Sequence, residues 1–201
     1  NFGYGFFNVF LFMLIFGGMI LDKMGPRFTG ILAVVIMLAG TFIKYWAVST
    51  QFAPGDTVAL NLFGWQVFSL KSQVFFAMLG FEVFGIGIEL IGITATKMVV
   101  KWFTGYQLAL AMGLNVAAGR IGTGIAMFGS LPYAKFMGAV SALLALCLIL
   151  LVIGLLSFLV FAMMDRKADK ERVSDPDKAA DPEEEFRIRD IISIVKIRGF
   201  W

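Results

Sequence analysis

GFEVFGIGIELIGITATKMVVKWFTGYQLALAMGLNVAAGRIG, residues 80–122, is the stretch on which the reading of this chain turns. It holds most of two long apolar helices joined by Lys101-Trp102-Phe103-Thr104-Gly105. Each helix has charge near its middle, Glu82 and Glu89 on the first and Arg120 on the second. A charge at the centre of a bilayer costs about 2.5–3.5 kcal/mol on insertion scales. Such a residue is usually kept for use, and it needs a partner close by. Here the two signs stand on neighbouring helices, which makes them the candidate site.

The depths follow from helix geometry. Counting from Val99 and Gly105 at about 1.5 Å per residue, Glu89 lies roughly 15 Å in, Glu82 roughly 25 Å and Arg120 roughly 22 Å. Glu82 and Glu89 are seven residues apart and share a face, so Arg120 can reach either. Asn115 and Thr123 sit on the Arg120 helix. Thr123 lies near the Arg120 face, while Asn115, five residues away, points elsewhere and is the weaker ligand candidate. The plainer reading of the charges is a buried ion pair that only sets helix packing. Exchangeable charges at that depth favour a functional site over it.

The rest of the chain agrees with a membrane setting. Of its 201 residues 59% are hydrophobic and 15% charged, with mean hydropathy +0.85; soluble domains carry roughly 25% charge. Apolar runs of roughly the 20 residues a membrane helix needs occur at about 4–21, 28–48, 72–99, 106–130 and 136–164. The expected fold is therefore all-α and integral to the membrane, with five transmembrane helices. Residues 1–164 form the membrane part. Residues 165–201 form a polar segment, read as a flexible linker up to Ala180 and then, from Asp181-Pro182, as a basic amphipathic helix that either lies on the membrane or packs on the protein's own helix ends. Leu131-Pro132 is expected to close the fourth helix. The fifth, rich in Leu and uncharged, is expected to face lipid. Lys44, beside Tyr45 and Trp46, is expected to snorkel to the headgroups. Between the second and third runs, Thr57 to Leu70 is too short and too interrupted by Asn61, Gly64 and Gln66 to span. It reads as a small hairpin in preference to a surface-lying segment.

Of the 17 Lys and Arg residues, all but Lys44, Lys71, Lys135 and Arg120 fall in the Asp22–Arg27 turn, the Lys97/Lys101 connection or the tail. With five spans these lie on one side, which the distribution of basic residues makes cytoplasmic. Residue 1 is then exofacial, in a cell or organelle membrane. The single Cys147 and the absence of His leave no disulfide framework, thiolate metal site or imidazole relay. No cofactor is expected. The glycines at 113, 119, 122, 124 and 129 are helical and lack the Lys-Ser/Thr of a phosphate loop. No nucleophile–base set is visible, so an enzyme is not expected, and neither is a nucleic-acid partner.

Gly18-Met-Ile-Leu-Asp22-Lys23-Met-Gly25-Pro26-Arg27 resembles the G-x-x-x-D-(R/K)-x-G-x-(R/K) signature between the second and third helices of the major facilitator superfamily. Gly18 would let a neighbouring helix approach, Asp22 would meet a helix N-terminus, and Arg27 would pin a carboxylate of the facing half. Pro26 stands where a basic residue is common. The resemblance implies helices two to six of twelve, with the tail as the linker to a missing second half. It also implies a conformational gate at Gly18, Asp22, Lys23, Gly25 and Arg27.

Gly80-Phe-Glu-Val-Phe-Gly85-Ile-Gly87-Ile-Glu89 resembles that superfamily's fourth-helix motif, with Phe81 in place of the usual Arg. The segments Trp102-Phe103-x-Gly105 and Gly119-Arg120-Ile-Gly122 are similar to those of its lysosomal dipeptide uniporter branch. In that branch a Glu and an Arg line the peptide site. The motif positions are Glu89 and Arg120, while Glu82 falls on an apolar position.

The function this implies is secondary transport of small organic solutes, most of all short peptides or related zwitterions, by alternating access between two halves. Its partners would be the small-molecule substrate, membrane lipids and the second half. The competing readings are a proton-coupled exchanger of small carboxylates and a non-transporting structural subunit of the same fold.

Overall fold

The computed structural model describes residues 13–50, 56–62 and 65–173. In chain order these form α1 (Met13–Ser49), β1 (Thr57–Leu62), β2 (Trp65–Lys71), α2 (Ser72–Trp102), α3 (Gly105–Met137) and α4 (Val140–Val173). The described residues are almost entirely helical, and four helices are long and apolar enough to cross a membrane.

Four helices stand where five apolar runs are expected, because the first two runs share α1. Within α1, Gly25 breaks the helical conformation at φ 77°, ψ 161° and Pro26 follows it. Glycine reaches positive φ without a Cβ clash, and proline has no N–H to continue the preceding hydrogen-bond ladder. The expected polar turn at Asp22–Arg27 thus shrinks to little more than one residue.

Neighbouring residues reveal the reversal. Gly17 packs on Leu90 and Ile93, and Asp22 meets Lys97, so residues 13–24 run along α2 in its own direction. Beyond the break Ala33 and Met37 meet Gly87, and Gly40 meets Gly80 and Phe84, so residues 26–49 run against α2. Residues before 13 lie outside the described part.

The core lies between α1 and α2 and is built from small side chains. Ala33, Ala47, Thr29, Thr41 and Thr94 are fully or almost fully buried. A Cβ on Gly40 would come within 2.4 Å of the Phe84 backbone nitrogen, and one on Gly80 within 2.7 Å of the Gly40 carbonyl oxygen. Small residues of this kind let helix backbones approach where lipid gives no hydrophobic drive for association. Each buried threonine satisfies its hydroxyl within its own helix: Thr29 donates to the Gly25 carbonyl at 2.9 Å, Thr41 to Met37 at 2.9 Å and Thr94 to Leu90 at 2.7 Å.

β1 and β2 pair antiparallel from Thr57 opposite Lys71 to Leu62 opposite Trp65, with an irregularity between Leu60 and Asn61. This is the expected hairpin. The Ser72 N–H donates to the Asp56 carbonyl at 3.0 Å and ties the hairpin to the start of α2.

Other elements differ from the sequence reading. Leu131-Pro132 does not close the fourth run. α3 continues through Pro132 to Met137 and stops at Gly138, which is left-handed (φ 71°, ψ 5°), the usual glycine end of a helix. Lys44 does not snorkel outward. A Cβ on Gly80 would touch its stem, and its ammonium lies 4.1 Å from the centre of the Phe84 ring and 5.6 Å from that of Phe81. The attraction of a cation to an aromatic face replaces the headgroup as its partner.

The charged stretch after Met164 is not a linker at its start, since α4 runs on to Val173. The expected amphipathic helix after Asp181 lies outside the described residues. α4 packs on α1, with Phe158 against Gly30, and exposes Ile149, Leu150, Leu156 and Met163, as a lipid-facing helix would.

Candidate functional site

Glu82 and Glu89 both lie on α2, and both are half-buried. Glu82 lines a groove of 320 Å³ with Val48 of α1 and Gln73, Val74, Ala77, Met78 and Phe81 of α2. The α2 residues recur at spacings of three and four, which puts them on one face. Both Glu82 carboxylate oxygens are shut off from the surface, and neither has a hydrogen-bond partner among the described residues. Arg120 and Asn115 lie on α3, which buries no residue against the rest of the described structure. Both are exposed. Among the described residues no ion pair joins Arg120 to Glu82 or Glu89, so the two signs of the candidate site are not brought together. Thr123 spends its hydroxyl on the Gly119 carbonyl at 2.9 Å.

Of the expected gate residues, Asp22 and Arg27 take part in polar contacts that join three helices at one end of the bundle. Asp22 accepts from the Lys97 ammonium at 2.9 Å. Arg27 donates through Nε to Asp165 at 2.5 Å and through Nη2 to the Asp165 carbonyl at 3.2 Å, and it also pairs with Asp169. Lys101 donates to both Asp165 oxygens at 3.0 and 3.1 Å and pairs with Asp169 at 2.9 Å. The Trp102 indole donates to Asp165 at 3.0 Å. The Asp165 side chain is only 1% exposed. Two cations and two carboxylates balance, and each oxygen of the buried Asp165 carboxylate accepts two hydrogen bonds, which is what a buried charge requires.

This geometry adds partners that the sequence reading does not name. Arg27 holds carboxylates of α4. Asp22 meets the Lys97 side chain. The close approach falls at Gly17, where a Cβ would lie 2.8 Å from Leu90 Cδ2, while one on Gly18 would meet no atom of the described residues within 4 Å. Gly25 makes the turn through its backbone, and Lys23 is exposed. Asp165 and Asp169 are not among the site residues read from the sequence. Two acids four residues apart share a helical face and directly continue the apolar run, and the helix does not end at the first charge.

Among the described residues no group of three or more His, Cys, Asp or Glu side chains could hold a metal ion. No protein-family model matches the chain, and no curated protein or solved structure matches it either.

Proposed function

We propose that the chain is part of a major-facilitator-type secondary transporter that carries small zwitterions, most of all short peptides, by alternating access. The observation that carries this reading is the placing of Glu82, Glu89 and Arg120 within helices that are otherwise long and apolar. The Gly25 turn, with Asp22 and Arg27 engaged on either side of it, adds support for the signature resemblance. On this reading the chain supplies helices two to six, with residues 13–24 the end of the second, and a second half closes the pathway.

Arg120 offers a planar donor fork suited to a carboxylate. Glu89 offers the acceptor that an ammonium group needs. A zwitterion satisfies both, whereas a simple carboxylate leaves the Glu unmatched unless it takes up a proton. In the whole carrier, Glu89→Gln and Arg120→Lys are each expected to reduce specific dipeptide binding at least tenfold, with folded protein kept. Dipeptide binding unchanged in Glu89→Gln, together with better competition by small dicarboxylates, would transfer the assignment to the carboxylate exchanger.

The topology is open to a separate check. On the proposed orientation the Asp22–Arg27 turn, the α2–α3 connection and the tail are cytoplasmic. With Cys147→Ala as background, a cysteine at Gly55 is expected to react with an impermeant reagent from outside, and one at Ser174 only after permeabilisation. The reverse pattern would invert the chain.

A further inference from the structure

The hairpin between α1 and α2 serves neither the mid-helix charges nor the ionic cluster. Residues 57–70 hold no charged side chain. By register, Val58, Leu60, Leu62, Trp65, Phe68 and Leu70 occupy one face of the antiparallel pair, and Thr57, Ala59, Asn61, Gln66, Ser69 and Lys71 occupy the other. The irregularity between Leu60 and Asn61 keeps the two sets apart. Leu60 pairs with Phe68 but Asn61 with Gln66, so Val67 is an extra residue on β2. Without it Gln66 would stand opposite Leu62 and Trp65 would move to the polar face, since a slip of one residue exchanges the faces of a strand. The bulge therefore holds an apolar face together along the whole hairpin.

A two-stranded hairpin is marginal by itself and needs a surface to pack on. Among the described residues only the start of α2 lies alongside it in more than passing contact. The position of the hairpin indicates what covers the rest. Its root is fixed to α2 by the Ser72 N–H, which donates to the Asp56 carbonyl at 3.0 Å. One turn further into α2 stands Phe76, whose ring meets that of Trp46, one turn before the end of α1, edge to face at 5.3 Å between centroids. Aromatic residues at the ends of spanning helices sit at headgroup level, so the strands leave the helices at that level. A second copy of the chain is a poorer occupant. Strands of six or seven residues, at about 3.3 Å per residue and about 5 Å apart, present a patch of about 200 Å². A stable protein interface buries about 800 Å² on each partner.

We propose that the hairpin lies flat on the bilayer surface beside its root, with the face of Val58, Leu60, Leu62, Trp65, Phe68 and Leu70 against the boundary between headgroups and acyl chains and the opposite face toward water. The partner is the lipid surface itself. An apolar face seated there is stabilised by burial, as for an interfacial amphipathic helix. The uncharged strands put no charge into the low-dielectric boundary, and the single cation, Lys71, stays on the water-side face at the root. This inference goes beyond the transporter reading and does not rest on it; it requires only that α1 and α2 span the bilayer.

Spin labels on single cysteines test it in the full-length protein in liposomes, with Cys147 and any other native cysteine replaced by alanine. Labels are placed at Leu60→Cys and Phe68→Cys on the apolar face and at Asn61→Cys and Ser69→Cys on the polar face. Relaxation by oxygen, which concentrates in lipid, is compared with relaxation by a water-soluble nickel chelate. The oxygen-to-nickel ratio is expected to be several-fold higher at Leu60 and Phe68 than at Asn61 and Ser69. Low access to both reagents at Leu60 and Phe68 would mean that protein covers this face, from the same chain, a second copy or another partner, and would overturn the proposal. High nickel access on both faces would place the hairpin in water and overturn it equally. Should a label on the apolar face prevent folding, the native Trp65 serves instead. Trp65→Phe is expected to remove an emission component that lipids brominated near the headgroup quench and that aqueous iodide does not. Loss of a component that iodide quenches, or that neither quenches, counts against the lipid surface.

Discussion

Asp165→Asn should lower the stability of the helix bundle by about 3–5 kcal/mol, the cost of breaking a buried ionic group by removing one partner. The carboxylate is 1% exposed and is shared by Arg27, Lys101 and the Trp102 indole. The amide keeps the shape but leaves two cations with a single carboxylate, that of Asp169. Asp169 is 37% exposed, so Asp169→Asn should cost only about 0–1 kcal/mol, as exposed pairs do. Equilibrium unfolding in mixed detergent micelles would measure both. Equal losses would mean that the cluster is held by its summed charge and not by the buried carboxylate. Because α1, α2 and α4 meet at this group, Asp165→Asn should also raise proteolytic cleavage around residues 165–173, where the sequence alone suggested a linker.

Gly40→Ala is the second large effect. The new methyl would lie 2.4 Å from the Phe84 nitrogen and 2.7 Å from the Gly80 carbonyl oxygen, both backbone atoms that cannot swing aside. The helices must separate, and overpacking of a tight contact costs about 1–3 kcal/mol or more. That outweighs the roughly 1 kcal/mol by which alanine exceeds glycine in helix propensity. Gly92→Ala is the control, since its methyl would meet no atom of the described residues within 4 Å; it should gain about that 1 kcal/mol. Gly17→Ala should fall between them, because its nearest neighbour is the movable end of Leu90. Thermal unfolding of the three variants in one detergent would rank them. An unchanged Gly40→Ala midpoint would show that α1 and α2 do not meet backbone to backbone at Gly40.

The apolar runs, the hairpin and the turn at Gly25 could be read from the chain because each depends on local rules. Run length against bilayer thickness marks a spanning helix. Pro, Gly and Asn interruptions mark a hairpin, and a Gly-Pro pair marks a reversal. The mid-helix charges Glu82, Glu89 and Arg120 were visible for the same reason, as composition out of place. Which of them meet was not. Depth arithmetic allowed Arg120 to reach either glutamate, but pairing depends on how α3 packs, and α3 buries nothing in the described structure.

The partners of Asp22, Arg27 and Lys44 likewise needed coordinates. Arg27 and Asp165 are 138 residues apart in sequence, and no local periodicity encodes that separation. Lys44 could be assigned to the headgroups or to the two aromatic rings with equal chemical sense; the close approach of Gly40 and Gly80 decides it by bringing α2 within reach of its stem. The sequence by itself determined a chain of helices long and apolar enough to cross a membrane, with Glu82, Glu89 and Arg120 inside them, because hydropathy and backbone chemistry are properties of short stretches. Tertiary structure alone decided which charges are satisfied, and among the described residues it gives Glu82 no hydrogen-bond partner, because pairing is set by the distance between helices that the chain visits far apart.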